Sequence, residues 1–208
     1  MSDLGLAAIL LLPAYFLGSF PSASIVARMG GHDVLTEGSG NPGASNVARL
    51  MGWKAGLAVL IADFGKGAIA SGVGLAVGGR GVGFALGIAA VIGHMFPVTR
   101  HFKGGKGVAT AGGMLLVLYP WIVLVLGIVW FLVARVLKLA SVASLLCTIL
   151  FPVLVAVGGY GTEEVVAIAA LAVVVIARHA ANLRRLFSGR ELRTGENGDG
   201  ATPPEPST

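Results

Sequence analysis

Three short polar stretches in this chain gather cations, glycines and small hydrogen-bonding residues. In EGSGNPGASNVAR, from Glu37 to Arg49, the glycines and Pro42 forbid a continuous helix and leave backbone N–H groups free to bind. Ser39, Asn41, Ser45 and Asn46 add side-chain donors beside the amides around Gly40 and Gly43, and Arg49 adds a fork that matches phosphate. In GHMFPVTRHFKGGKGVAT, from Gly93 to Thr110, Lys103 and Lys106 flank Gly104 and Gly105. A helix opening at about Gly107 would join its dipole and free amides to those two ammonium groups. The loop only superficially resembles a P-loop, because a glycine follows Lys106 where serine or threonine is required. A basic loop touching anionic head groups is the other reading of this stretch.

The third stretch is RHAANLRRLFSGRE, from Arg178 to Glu191. His179 and Asn182 have i,i+3 spacing, while Arg178, Asn182 and Arg185 have i,i+4,i+7 spacing, so Asn182 can share a helical face with either set. Further inside the apolar sequence, Asp63 and Lys66 stand three residues apart and are expected to pair, since charge in a membrane is costly alone. His94 either orients the second stretch or satisfies a carbonyl. No metal-ligand spacing and no G-x-S-x-G elbow is present. The H-x4-D pattern fails at every histidine, where the fifth following residue is Glu37, Thr99, Lys106 or Arg184. No side-chain nucleophile with an obvious base stands out.

The elements that must carry these residues are membrane helices. Of 208 residues, 55% are hydrophobic and only 12% charged, about half the charge of a soluble domain, and the mean hydropathy is +0.85. The pattern predicts an all-α integral membrane protein with seven spans at about 4–27, 54–78, 82–98, 107–119, 121–136, 141–158 and 163–184. The fourth is short for a crossing of about 20 residues, so five- or six-span readings stay open. The first carries Asp3 and no basic n-region, so it reads as a span with its N-terminus outside rather than a cleaved signal. One side then receives Arg28, Arg49, Lys54, Arg100, Lys103, Lys106, Arg135, Lys138 and the arginines from Arg178 on, while the other receives Arg80 with Asp3, Glu163 and Glu164. That asymmetry predicts a cytoplasmic C-terminus and places all three polar stretches on the cytoplasmic side. It also explains the net charge of +5 without nucleic acid. Residues 1–193 read as one membrane domain and 194–208 as a disordered cytoplasmic tail. The single cysteine, Cys147, reads as a small buried hydrophobe.

In order and spacing, the three stretches resemble the motifs of the bacterial membrane glycerol-3-phosphate acyltransferases that use acyl phosphate. The first has Ser45 where threonine is usual, the second matches nearly throughout, and the third has Leu183 where isoleucine is usual. In RVLKLASVAS, Lys138 stands where that family has serine, while Ser141 matches. The resemblance implies acyl transfer from acyl phosphate to the sn-1 hydroxyl of glycerol 3-phosphate, giving lysophosphatidic acid and phosphate at the inner membrane. It implies no cofactor and no metal, and a transient partner enzyme that forms acyl phosphate. It suggests that Ser39, Arg49 and Lys106, with amides around Gly40 and Gly43, hold phosphate. Asn41, Asn46, Gly104, Gly105 and Thr110 complete the binding set. Lys103 holds or screens the second anion, with Ser141 contributing. His179 and Asn182 orient the reacting groups, while His94, Arg178, Arg185, Glu191, Asp63 and Lys66 support them. An anion transporter would need polar groups near the midplane and access from both faces. A lipid-binding scaffold would tolerate Arg49→Lys.

Overall fold

The computed structural model describes residues 3–194, so the predicted tail lies outside the described residues except for Thr194. Among these, all regular structure is helical: α1 Asp3–Gly18, α2 Ser22–Met29, α3 Ala44–Met51, α4 Trp53–Met95, a 3-10 turn Val98–Arg100, α5 Val108–Leu118, α6 Pro120–Leu137, α7 Ala140–Val157, α8 Thr162–Arg178 and α9 Ala180–Phe187. All seven apolar segments expected from the sequence are helical, and the break expected at 79–81 falls at Gly78 and Gly79. These two residues leave the helical region, Gly79 with φ of 73°.

At that break α4 folds back into two arms, 53–77 and 80–95. They close tightly, for a Cβ on Gly74 would lie 2.6 Å from the Val82 carbonyl oxygen and 2.7 Å from Gly83 Cα. Small residues set the neighbouring contacts too. A Cβ on Gly67 would fall on the Thr110 carbonyl, and one on Gly113 would fall on that of Phe64, which seats α5 against the first arm. Gly18 meets the Ala90 backbone and Gly93 meets that of Tyr15, where α1 crosses the second arm. Within lipid, close backbone approach supplies the packing that the hydrophobic effect does not.

Two expected spans are interrupted. The first breaks between α1 and α2 at Pro21, which has no N–H to continue the helical ladder, and the Phe20 carbonyl accepts from the Ser22 amide at 3.0 Å. The buried Lys66 ammonium takes up that carbonyl at 2.7 Å, with Ser22 Oγ at 2.9 Å and Asp63 Oδ1 at 2.6 Å. The expected Asp63–Lys66 pair is therefore present, and it braces a helix break. The last span, expected as one helix over 163–184, bends by 58° between α8 and α9. Its cause is His179, whose Nδ1 donates to the Val175 carbonyl at 2.8 Å while its backbone N–H turns to Ile176.

At the end of the molecule away from the three polar stretches, Tyr119 is fully buried among Phe84, Phe151 and Tyr160 in edge-on contacts. Its hydroxyl donates to Glu164, which also receives the Arg80 fork at 2.5 and 3.0 Å. This ties the bend of α4 to the start of α8.

Candidate active site

The polar ends of α3, α5, α7, α8 and α9 converge on one cavity of about 800 Å³. Two helix N-termini open onto it. Gly43, in extended conformation, caps α3, and Gly107, at φ 86°, caps α5 where only glycine turns without strain. Orphan amides and dipoles at both ends favour an anion between them.

The first loop is held in shape by Asn46, which is 1% exposed. Its Oδ1 accepts from the Ser39 amide at 2.8 Å, and its Nδ2 donates to the carbonyls of Glu37 at 3.0 Å and Val34 at 3.2 Å. The second loop turns through the left-handed residues His101 and Phe102. Arg178 then fixes it by donating to the carbonyls of Gly104 at 2.7 Å and Gly105 at 3.2 Å. His94 lends its backbone carbonyl to the Gly105 amide at 3.1 Å, and its ring leaves no room for a Cβ there. Lys106 emerges from this clamp into the cavity with no hydrogen bond or ion pair among the described residues. Burial pushes its ammonium down from 10.5 to about 8, against the pull of Glu191. Burial likewise lowers Arg49, again opposed by Glu191.

Glu191 is the hub of the third stretch, its side chain 4% exposed. It accepts from Ser141 Oγ at 2.8 Å, Asn182 Nδ2 at 2.5 Å and Arg185 Nε at 2.9 Å. With its amide so committed, Asn182 is left with a buried Oδ1 that has no hydrogen-bond partner among the described residues. His179, 1% exposed, spends Nδ1–H on a carbonyl, which leaves Nε2 as an acceptor. Either acceptor on the cavity wall can take the one proton of an incoming hydroxyl. Arg49 donates to the carbonyls of Arg193 at 3.2 Å and Leu192 at 3.3 Å, and Thr194 N–H donates to Lys138 at 2.8 Å. The chain after α9 thus crosses the mouth of the cavity.

Below the polar end the cavity is mainly apolar, lined by residues such as Phe64, Leu115, Leu126, Phe151, Ile168 and Leu171, with Ser144 and Thr148 among them. A charged head and a long apolar tail fit end to end in one space.

Residues 8–189 match the family described as glycerol-3-phosphate acyltransferase. The chain belongs to that family. It is 42% identical to a glycerol-3-phosphate acyltransferase of Sinorhizobium fredii (strain NBRC 101917 / NGR234), covering 94% of this chain and 97% of the relative. It is 43% identical to that of Pseudomonas paraeruginosa (strain DSM 24068 / PA7), over 88% and 97% of the two chains. The fold matches the crystal structure of PlsY (YgiH), an integral membrane glycerol 3-phosphate acyltransferase, in its glycerol 3-phosphate form. The TM-score is 0.86 at 38% identity, over 91% of this chain and 96% of that one. Its lysophosphatidic acid form matches with a TM-score of 0.84.

For this acyltransferase, Ser39, Asn41, Gly43, Asn46, Arg49, Lys106, Ser141, His179, Asn182, Arg185 and Glu191 line the cavity, with Asp63 and His94. Others from the sequence reading stand back from its wall. Lys103 is exposed, and Gly40, Gly104, Gly105, Thr110, Lys66 and Arg178 shape the loops or pack behind them. Asn46, expected as a phosphate donor, spends its amide on the loop. The apolar wall escaped the sequence reading. On α7 the stripe Ser141, Ser144, Thr148 and Phe151, mostly polar where a lipid-facing side would be apolar, was the available signal that this face turns to the cavity.

Proposed function

We propose that this chain transfers an acyl group from acyl phosphate to the sn-1 hydroxyl of glycerol 3-phosphate, giving lysophosphatidic acid and inorganic phosphate. One observation carries the reading: all three polar stretches meet at the head of a single cavity whose remainder is mainly apolar. Lys106, Arg49 and the N-termini of α3 and α5 hold the two phosphates and offset their repulsion. The donor chain lies among α5, α6, α7 and α8. His179 Nε2 or Asn182 Oδ1 accepts the hydroxyl's one hydrogen bond and aims its oxygen at the donor carbonyl, a contribution of position, before the proton passes to the departing phosphate. The new ester bond forms as the acyl–phosphate bond breaks, and the hydroxyl proton leaves with the phosphate. Basic-residue placement supports an external N-terminus and a site at the cytoplasmic face of the inner membrane, with about seven apolar helical segments in the bilayer, of which four or five are long enough to cross it by themselves.

Purified protein given acyl phosphate and glycerol 3-phosphate, without added metal, is expected to release phosphate and lysophosphatidic acid in equal amounts and to leave acyl-CoA unused. Folded protein that makes neither product, or prefers acyl-CoA, overturns the reading.

A further inference from the structure

We infer that Leu115, Val123, Phe151 and Ile168 form a floor that sets the longest acyl chain this enzyme accepts. The inference rests on the acyl-phosphate reading above and deepens it.

Four helices each stop lining the cavity part-way along their length. On α7 the stripe from Ser141 ends at Phe151, and the next residue on that face, Val155, is buried in the core. On α5 it ends at Leu115, and the following turn carries the buried Leu118. On α8 the wall begins at Ile168 and on α6 at Val123, while the earlier Val165 and Ile122 pack into the core beneath.

The floor is firmly backed. Phe151 meets Tyr119 edge-on, with ring centroids 5.7 Å apart. Tyr119 cannot drop away, because Phe84 and Tyr160 flank it and its hydroxyl is held by Glu164 under the Arg80 fork. Arg80 also donates to the Leu118 carbonyl at 2.9 Å. Ser141 and Phe151 lie ten residues apart on α7, a depth of about 15 Å. That length holds an extended chain of about a dozen carbons, each advancing somewhat less than a C–C bond of about 1.5 Å.

The donor arrives from the bilayer, where its tail is already in apolar surroundings. Added methylenes therefore gain little on entering the cavity. Discrimination comes from overpacking against a floor that does not yield. The signature is a cut-off, with lengths treated alike until the floor is reached and rejected beyond it.

The test uses the full chain in detergent, saturating glycerol 3-phosphate and saturated acyl phosphates of increasing length. The wild type is expected to hold a steady kcat/KM and then lose about tenfold over the next few carbons. Phe151→Ala should move that break to longer donors and Ile168→Phe to shorter ones, with KM for glycerol 3-phosphate unchanged. If Phe151→Ala does not fold, Ile168→Phe decides. A break that stays put in an active variant overturns the floor. So does a wild type with no break, whose tail would leave sideways past Ile61 and Phe131, 64% and 62% exposed. A wild type that uses no acyl phosphate of any length removes the donor reading itself.

Discussion

Lys106 is the residue on which the electrostatics of the site turn. It is a largely buried ammonium without a partner among the described residues, lowered to about 8, and a phosphate beside it would restore its charge. The free enzyme should therefore lose kcat/KM for glycerol 3-phosphate as the pH rises through about 8. Lys106→Arg, which keeps its proton at any accessible pH, should lose that alkaline limb even if its maximum is lower. Lys106→Ala should cost about a hundredfold or more in rate at every pH. Stability runs the other way. Because the folded value lies below the ordinary 10.5, the buried charge is a cost present in full below about pH 8. It is relieved between about 8 and 10.5, where the folded chain has lost a proton that the unfolded chain keeps. Thermal melts of the substrate-free enzyme should rise across that window relative to Lys106→Met, and saturating glycerol 3-phosphate should move the rise to higher pH. The cation was legible from GGKG in the sequence. Its isolation was not, since that depends on Arg178 spending its donors on the Gly104 and Gly105 carbonyls, and the Gly105 amide spending its own on the His94 carbonyl.

At the scale of elements, glycine decides where helices meet. Gly113 sits on the Phe64 carbonyl, so Gly113→Ala must push α5 off the first arm of α4 and widen the head of the cavity. A loss of about 1–3 kcal/mol is expected from such overpacking, read as a lower unfolding temperature in detergent. Gly72→Ala is the control. Nothing lies within 4 Å of a Cβ there, and alanine is the better helix former, so its melting temperature should stay level or rise. Apolar segments announced the helices because length and hydropathy are local properties. The α8–α9 bend was hidden because no proline or glycine marks it; an imidazole competes with the backbone for the Val175 carbonyl. The break after α1 was written in Pro21, but its bracing appears only with Lys66, brought from far along the chain to donate to Phe20, Ser22 and Asp63. The floor of the cavity was equally silent, since Phe151 and Ile168 look in sequence like any lipid-facing residue.

On the scale of the whole molecule, the two ends are unlike. One carries the three motif stretches, the free ammonium of Lys106 and the chain that returns over the cavity mouth. The other carries the Arg80–Glu164–Tyr119 knot, whose single arginine is neutralised by the carboxylate it grips. Basic residues retained on one side set orientation, so the motif end should face the cytoplasm, where a phosphorylated water-soluble acceptor is at hand. Orientation is tested with single cysteines in a Cys147→Ala background, which removes the one native thiol. Ser188 follows α9 at the motif end, and Thr162 opens α8 at the other; both are exposed. In cells with a permeable outer barrier and an intact inner membrane, an impermeant maleimide should label Thr162→Cys. It should reach Ser188→Cys only after the inner membrane is opened. The reverse pattern would put the phosphate cradle outside, away from the supply of acceptor, and would overturn the orientation while leaving the chemistry of the cavity intact. Labelling of both from outside would point to an even number of crossings between them, and α8 with α9 would then lie along the surface instead of spanning.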